Sequence, residues 1–158
     1  MTHVLGIVKE GKLIPEELWI KLVNSIENNF DILETNNERA KREVAEALVN
    51  AIKRRIAPKF GILFSGGVDS TIIAFISKQL KCNFTCYSVG IEGSNDIAWA
   101  QQAAKEYGFN FKYKVLNLDE LEIVLRNVVN ILNDSDIVIV SVGSVLYAAG
   151  KIALANGD

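Results

Sequence analysis

Apolar residues from position 60 onwards alternate between short runs and helical spacing. The runs predict strands at residues 60–64, 84–89 and 111–116, and the amphipathic stretches between and after them predict helices at residues 70–80, 96–107 and 118–132. Gly108 follows the second of these helices and predicts where it ends. Because strands that alternate with helices form parallel sheets, the pattern predicts an α/β fold with a doubly wound parallel sheet.

The residues before this unit follow a different pattern. Apolar residues between positions 4 and 14 indicate a short hairpin, and helical spacing then indicates two helices, the second of which opens with a capping box of Thr35 and Glu38. We therefore predict an N-terminal hairpin and helical accessory segment at residues 1–57 and the main domain at residues 58–158. Residues 137–140 fit either a strand or the entry to a last helix.

Composition narrows the classes of function. The chain has 158 residues and a net charge of −2, and its Lys and Arg residues form no basic stripe, so nucleic acid is not the expected partner. No secretory signal is visible and no apolar run approaches a membrane-spanning length of roughly 20 residues, so we expect a soluble cytoplasmic protein without a membrane partner. His3 is the only histidine. We read Cys82 and Cys86 as buried thiols on one face of a strand, not as metal ligands.

The most informative motif joins the first of these strands to its helix, in the stretch Phe64-Ser-Gly-Gly-Val-Asp-Ser70. Gly66 and Gly67 allow backbone N–H groups to turn inwards, Ser65 and Ser70 offer hydroxyl groups, and a helix N-terminus adds its dipole. These features predict a phosphate-binding loop. It is not a kinase-type P-loop, because no lysine stands where it would reach terminal phosphates. The alternative is an ordinary strand-to-helix turn.

A metal ion is expected beside this loop. Asp69 is its one carboxylate and would repel a polyphosphate unless a divalent cation lay between them, so we expect Mg²⁺. Asp69 as a simple helix N-cap is the alternative. In a doubly wound sheet, ligands bind beyond the carboxyl ends of the strands, which places a nucleoside near Val89 and the second loop, Gly90 to Asn95.

The loop, together with Tyr87-Ser-Val-Gly-Ile-Glu-Gly-Ser-Asn-Asp96, resembles the synthetase domain of asparagine synthetases within the PP-loop ATP pyrophosphatase superfamily. The resemblance implies that a carboxylate attacks the α-phosphorus of Mg-ATP, that pyrophosphate leaves, and that ammonia converts the acyl-adenylate to an amide. It implies catalytic roles for Ser65 and Asp69, with Asp69 also the metal ligand. The ATP-binding residues that it implies are Phe64, Ser65, Gly66, Gly67, Val68, Asp69, Ser70, Val89 and Gly90.

The sequence departs from this family in three respects. A glutamine-hydrolysing domain is missing, so ammonia is expected to come free or from a separate glutaminase subunit. Val138 and Ser141 stand where the family usually carries threonine and arginine near the substrate carboxylate, which leaves the acid open. The family continues beyond residue 158 into a further strand, so we expect an incomplete domain, completed by another chain or by homo-oligomerisation.

Two other functions remain open at this stage. A PP-loop ligase with another substrate, including RNA modification, would show turnover that depends on that substrate. A noncatalytic ATP-binding module would bind ATP without releasing pyrophosphate.

Overall fold

A computed structural model describes residues 8–9, 12–28 and 34–158. The chain forms two compact units, residues 1–46 and 47–158. The predicted domain boundary before residue 58 stays a prediction. The elements in chain order are β1 (Val8–Lys9), β2 (Lys12–Leu13), α1 (Glu16–Glu27), α2 (Asn37–Lys53), β3 (Phe60–Leu63), α3 (Val68–Gln79), β4 (Phe84–Ile91), α4 (Asp96–Tyr107), β5 (Phe111–Leu116), α5 (Leu118–Leu132) and α6 (Ile137–Ala155).

The first unit contains the hairpin, α1 and the first part of α2. β1 and β2 pair antiparallel, as predicted, while the other residues of the predicted hairpin up to Gly11 lie outside the described ranges. The cap of α2 differs from the prediction. The side chain of Asn36, not Thr35, accepts hydrogen bonds from the backbone N–H groups of Glu38 and Arg39, at 3.1 and 3.0 Å. An Asn carbonyl caps a helix as effectively as a Thr hydroxyl, so sequence alone could not separate these neighbours.

The second unit is built on a parallel sheet in the order β3-β4-β5. Helices α3 and α4 cover one face, where the core contains Ile62, Phe64 and Cys86, and α5 and α6 cover the other face. The sheet is therefore doubly wound and the predicted α/β class is confirmed. Within the described chain β3 pairs only with β4 and forms one edge of the sheet.

The two cysteines do not share a strand. Cys86 lies in β4 and is fully buried, whereas Cys82 lies in the turn before β4 and is half-buried. Burial raises the pKa of the Cys86 thiol to about 12. The reading of Cys86 as a buried thiol holds, but the shared strand face was wrong because β4 begins only at Phe84.

Residues 137–140 begin helix α6 and do not form a strand. The carboxylate of Asp136 accepts hydrogen bonds from the N–H groups of Val138 and Ile139, at 2.9 and 3.0 Å, and so caps the helix. The expectation that no apolar run approaches membrane-spanning length was wrong: Ile137–Ala155 has 19 residues and a mean hydropathy of 2.0. One such helix is weak support for a membrane span, and α6 packs against α5, β3 and β4.

Candidate functional site

The predicted phosphate loop leaves the sheet at the carboxyl end of β3. The Phe64 N–H continues the ladder by donating to the Tyr87 carbonyl at 2.8 Å, and the Ser88 hydroxyl donates to the Phe64 carbonyl. The Phe64 ring is buried and packs edge-on against Phe109 and Phe111, with ring centroids 5.7 and 6.0 Å apart. Phe64 therefore fixes the first residue of the loop to the core.

Glycine is required at the turn of the loop. Gly66 has a φ of +76°, and a Cβ placed there would lie 2.8 Å from Ala100 Cα in α4. Any side chain would therefore push the loop away from α4 in addition to adopting a strained backbone. The close approach of Gly66 to α4 therefore holds the loop in place.

Hydroxyl groups and backbone amides meet inside the loop. Ser65 Oγ lies 3.2 Å from Ser70 Oγ, accepts a hydrogen bond from the Gly67 N–H at 3.3 Å, and begins the turn that Gly67 closes. Gly67 precedes α3 and caps it with no side chain, so the first amides of α3 are available to an anion. The arrangement suits a phosphate group.

Asp69 lies in the first turn of α3, one residue beyond its start. It is not the N-cap, so the alternative of a simple capping role does not hold. Its exposed carboxylate and the hydroxyls of Ser65 and Ser70 are the hard oxygen donors that Mg²⁺ prefers, and Mg²⁺ commonly combines one or two carboxylates with substrate phosphates. The donor set therefore fits the expected ion. Among the described residues no group of three or more His, Cys, Asp and Glu side chains converges on one metal position.

A cavity of about 340 Å³ opens beside the loop, at the carboxyl ends of β3 and β4. Three of the predicted ATP-binding residues, Phe64, Ser65 and Val89, line it together. Its wall is mostly apolar. Among the described residues, Asp96 is the one charged residue that lines it, and the remaining lining residues are Leu63, Tyr87, Ser88, Val145 and Ala149. An apolar slot next to a phosphate loop is suited to a flat nucleobase.

The other predicted residues lie around this cavity. Gly66 and Val68 line a second cavity of about 420 Å³ between α3 and α4, beside Trp99. Gly67, Asp69 and Ser70 form the end of the loop and the start of α3, and Gly90 packs closely against Ser94 of the second loop and Ile97 of α4. The structure thus gathers the predicted residues at one end of the sheet but divides them between two surfaces.

Sequence reasoning missed the contribution of α6 to the cavity. Val145 and Ala149 are one helical turn apart and face β3 and β4, but nothing in their local sequence distinguishes them from other apolar helix positions. Asp96 could have been found from the sequence, because it directly follows the second predicted loop.

The residues proposed to replace the family's threonine and arginine lie in the first turns of α6. Val138 is exposed, and the Ser141 hydroxyl donates to the Ile137 carbonyl at 2.5 Å.

Comparison with known proteins identifies the family of the chain. The family model for asparagine synthase matches residues 43–157. A glutamine-hydrolyzing asparagine synthetase described in Methanocaldococcus jannaschii is 32% identical over 126 residues, covering 78% of this chain and 23% of that protein. Asparagine synthetase B of Escherichia coli is 24% identical over 138 residues, covering 77% of this chain and 25% of that protein.

The chain spans about a quarter of the length of these two relatives. Among solved structures, NMN synthetase from Francisella tularensis superposes with a TM-score of 0.47 at 16% identity, over 65% of this chain and 44% of that one. The match across residues 43–157 shows that the chain belongs to the asparagine synthase family.

Proposed function

We propose that this chain carries the ATP site of an amide-forming synthetase of asparagine synthetase type. The reaction adenylates a carboxylate with release of pyrophosphate, and ammonia then attacks the acyl carbon and displaces AMP to give the amide. The observation that carries the proposal is the apolar cavity directly beside the Ser65 to Ser70 loop. A nucleobase in the cavity would place the phosphates of the same nucleotide at the amides and hydroxyls of the loop.

The residues around the loop act by position and charge. The first amides of α3 and the hydroxyls of Ser65 and Ser70 bind the β- and γ-phosphates, which leave as pyrophosphate. Asp69 would hold Mg²⁺ against these phosphates, and the ion supplies neutralisation of the charge that develops on the leaving group. Leu63, Val89 and Val145 exclude water from the nucleoside side. Attack by the substrate carboxylate needs no covalent enzyme intermediate.

The proposal includes partners and location. The acid enters at the carboxyl ends of the strands, near the first turns of α6, where Ile137, Val138 and Val142 are exposed. Ammonia enters free or from a glutaminase subunit, and the chain acts as a homo-oligomer. We propose a cytoplasmic location and no nucleic-acid partner.

Release of pyrophosphate from Mg-ATP in the presence of aspartate and ammonium tests the proposal. Asp69→Ala should abolish release, whereas Asp119→Ala is the matched control, because Asp119 is also an exposed carboxylate in the first turn of a helix, α5. Release that survives in Asp69→Ala would contradict the assignment of the loop. ATP binding without release, for aspartate and for other small carboxylic acids, would instead favour the noncatalytic module.

A further inference from the structure

The Tyr87 ring separates two cavities on the α6 face of the sheet. It lines the candidate nucleotide cavity of about 340 Å³ and also a smaller cavity of about 150 Å³ between β3 and α6. The side chain is 1% exposed, which makes Tyr87 the largest fully buried residue among those described. A movement of this ring would therefore change the shape of the nucleotide cavity directly.

The Tyr87 ring packs against the backbone of β3. A Cβ on Gly61 would lie 3.0 Å from Tyr87 Cδ2, so the ring lies directly on the glycine. Gly61 pairs with Thr85, two residues before Tyr87 on β4, which places the contact inside the regular part of the sheet. The glycine provides room for the ring and has no side chain that could hold it.

The hydroxyl group of Tyr87 is held at the opposite end of the ring. It donates a hydrogen bond to Oδ2 of Asp158, whose side chain is 1% exposed, and Oδ1 of the same carboxylate lies 2.6 Å from Lys59 Nζ. Lys59 Nζ also donates to the carbonyls of Asn156 and Gly157, at 2.8 and 3.1 Å. Lys59, which immediately precedes β3, thus contacts all three of the residues that follow α6.

Electrostatics agree with a tightly held contact. The hydrogen bond with Lys59, followed by the Tyr87 hydrogen bond, lowers the pKa of Asp158 to about 2. Burial, together with the bond to Asp158, raises the pKa of Tyr87 to about 12. At neutral pH the pair is therefore a neutral phenol that donates to a carboxylate, a charge-assisted hydrogen bond of the stronger kind.

We propose that Tyr87 is a positioning residue for the nucleotide, and that Asp158 and Lys59 fix its ring from the far end of β3. The inference rests on the proposed nucleotide site. Asp158 and Lys59 do not line the cavity, so they act on the ligand only through Tyr87. The fixed ring keeps the shape of the nucleotide cavity constant before the ligand binds. Less conformational entropy is therefore lost on binding.

Two variants separate this role from general stabilisation. Tyr87→Phe keeps the ring and removes its anchor, and Asp158→Asn keeps the size of the acceptor and removes its charge. Tyr113→Phe is the matched control, because Tyr113 is exposed on β5 and lines neither cavity. Binding of α,β-methylene-ATP with Mg²⁺ is measured by calorimetry on the intact chain, at a temperature where every variant is folded by circular dichroism.

We expect Tyr87→Phe and Asp158→Asn to raise Kd by about two- to tenfold, the factor that corresponds to one net hydrogen bond, and Tyr113→Phe to leave it unchanged. The flip rate of the Tyr87 ring, measured by NMR without nucleotide, should rise in Asp158→Asn. Unchanged Kd in folded variants, or an unchanged flip rate, would overturn the positioning role. Failure of the unaltered chain to bind the nucleotide would overturn the proposed function, while the flip rate would still test the anchor.

Discussion

Ser65 Oγ and Ser70 Oγ lie 3.2 Å apart, so the two ends of the phosphate loop meet through their hydroxyl groups. Ser65 also accepts from the Gly67 N–H, and Ser70 donates to the Gly67 carbonyl at 3.1 Å. The loop thus has a fixed shape before any ligand binds. A preorganised set of donors stabilises an anion more strongly than donors that must first be ordered.

Loss of the Ser65 hydroxyl should weaken phosphate binding. Ser65→Ala removes one hydroxyl donor and the acceptor for the Gly67 amide. A hydrogen bond to a charged group contributes about 1.5–3 kcal/mol, so the inhibition constant for pyrophosphate as a competitor of nucleotide binding should rise roughly ten- to hundredfold. Ser25→Ala, in α1 of the first unit, is the control. Equal pyrophosphate affinity in Ser65→Ala and the unaltered chain would remove Ser65 from the site.

The packing of Gly66 against α4 predicts that alanine is more destabilising at Gly66 than at Gly93. Gly66 and Gly93 both have positive φ, +76° and +81°, but an added Cβ would meet neighbouring atoms at Gly66 and open space at Gly93. Gly93→Ala should cost about 1–2 kcal/mol for the left-handed backbone alone. Gly66→Ala should cost more and should also abolish nucleotide binding. Chemical denaturation of both variants measures the difference, and equal losses of unfolding free energy would contradict the contact with Ala100.

The buried carboxylate of Asp158 predicts acid sensitivity. Its pKa lies at about 2 in the folded chain, below the ordinary value of 3.8, so the contribution to stability is present above 3.8 and is lost as the pH falls towards 2. The unfolding free energy of the unaltered chain should therefore fall more steeply between about pH 5 and 2 than that of Asp158→Asn. Parallel pH profiles for the two proteins would show that the ion pair with Lys59 does not form in solution.

The burial of Cys86 predicts that the two thiols react at different rates. A thiol whose pKa is raised to about 12 has almost no thiolate at neutral pH, and Cys86 is also shielded from solvent. An aromatic disulfide reagent at pH 8 should modify Cys82 alone in the folded chain and both cysteines in denaturant. The variant Cys82→Ser gives the control, since it should show no fast reaction. Rapid labelling of Cys86 in this variant would contradict its place in the core.

The sequence predicted the central helices and strands well where local residues determine the bounds of an element. The bounds of α4, β5 and α5 agree with the predicted ones, because Gly108 and the residues around Asn117 provide local start and stop signals. The start of α3 was predicted late, at residue 70, since the glycines before Val68 hide the helical pattern. Periodicity alone could not identify α6 either, because it is apolar on nearly every side.

The candidate site was predictable only in part, because local sequence shows only those features that lie in one continuous stretch. The phosphate loop is one continuous stretch whose glycines and hydroxyls can be read directly. The walls contributed by Val145 and Ala149, and the contact between Tyr87 and Asp158, join residues far apart in the chain. Such contacts depend on how α6 packs against the sheet, and one sequence contains no direct signal of that packing.

The most direct test of the central claim is calorimetric titration of ATP into the unaltered chain and Asp69→Ala, each with Mg²⁺ and with excess EDTA. If the loop binds the phosphates and Asp69 holds the ion, the unaltered chain should bind ATP much more tightly with Mg²⁺ than without it. Asp69→Ala should lose most of this dependence, because removal of the carboxylate removes both the metal ligand and the repulsion of the phosphates. Absence of ATP binding by the unaltered chain, or an equal dependence on Mg²⁺ in both proteins, would contradict the account.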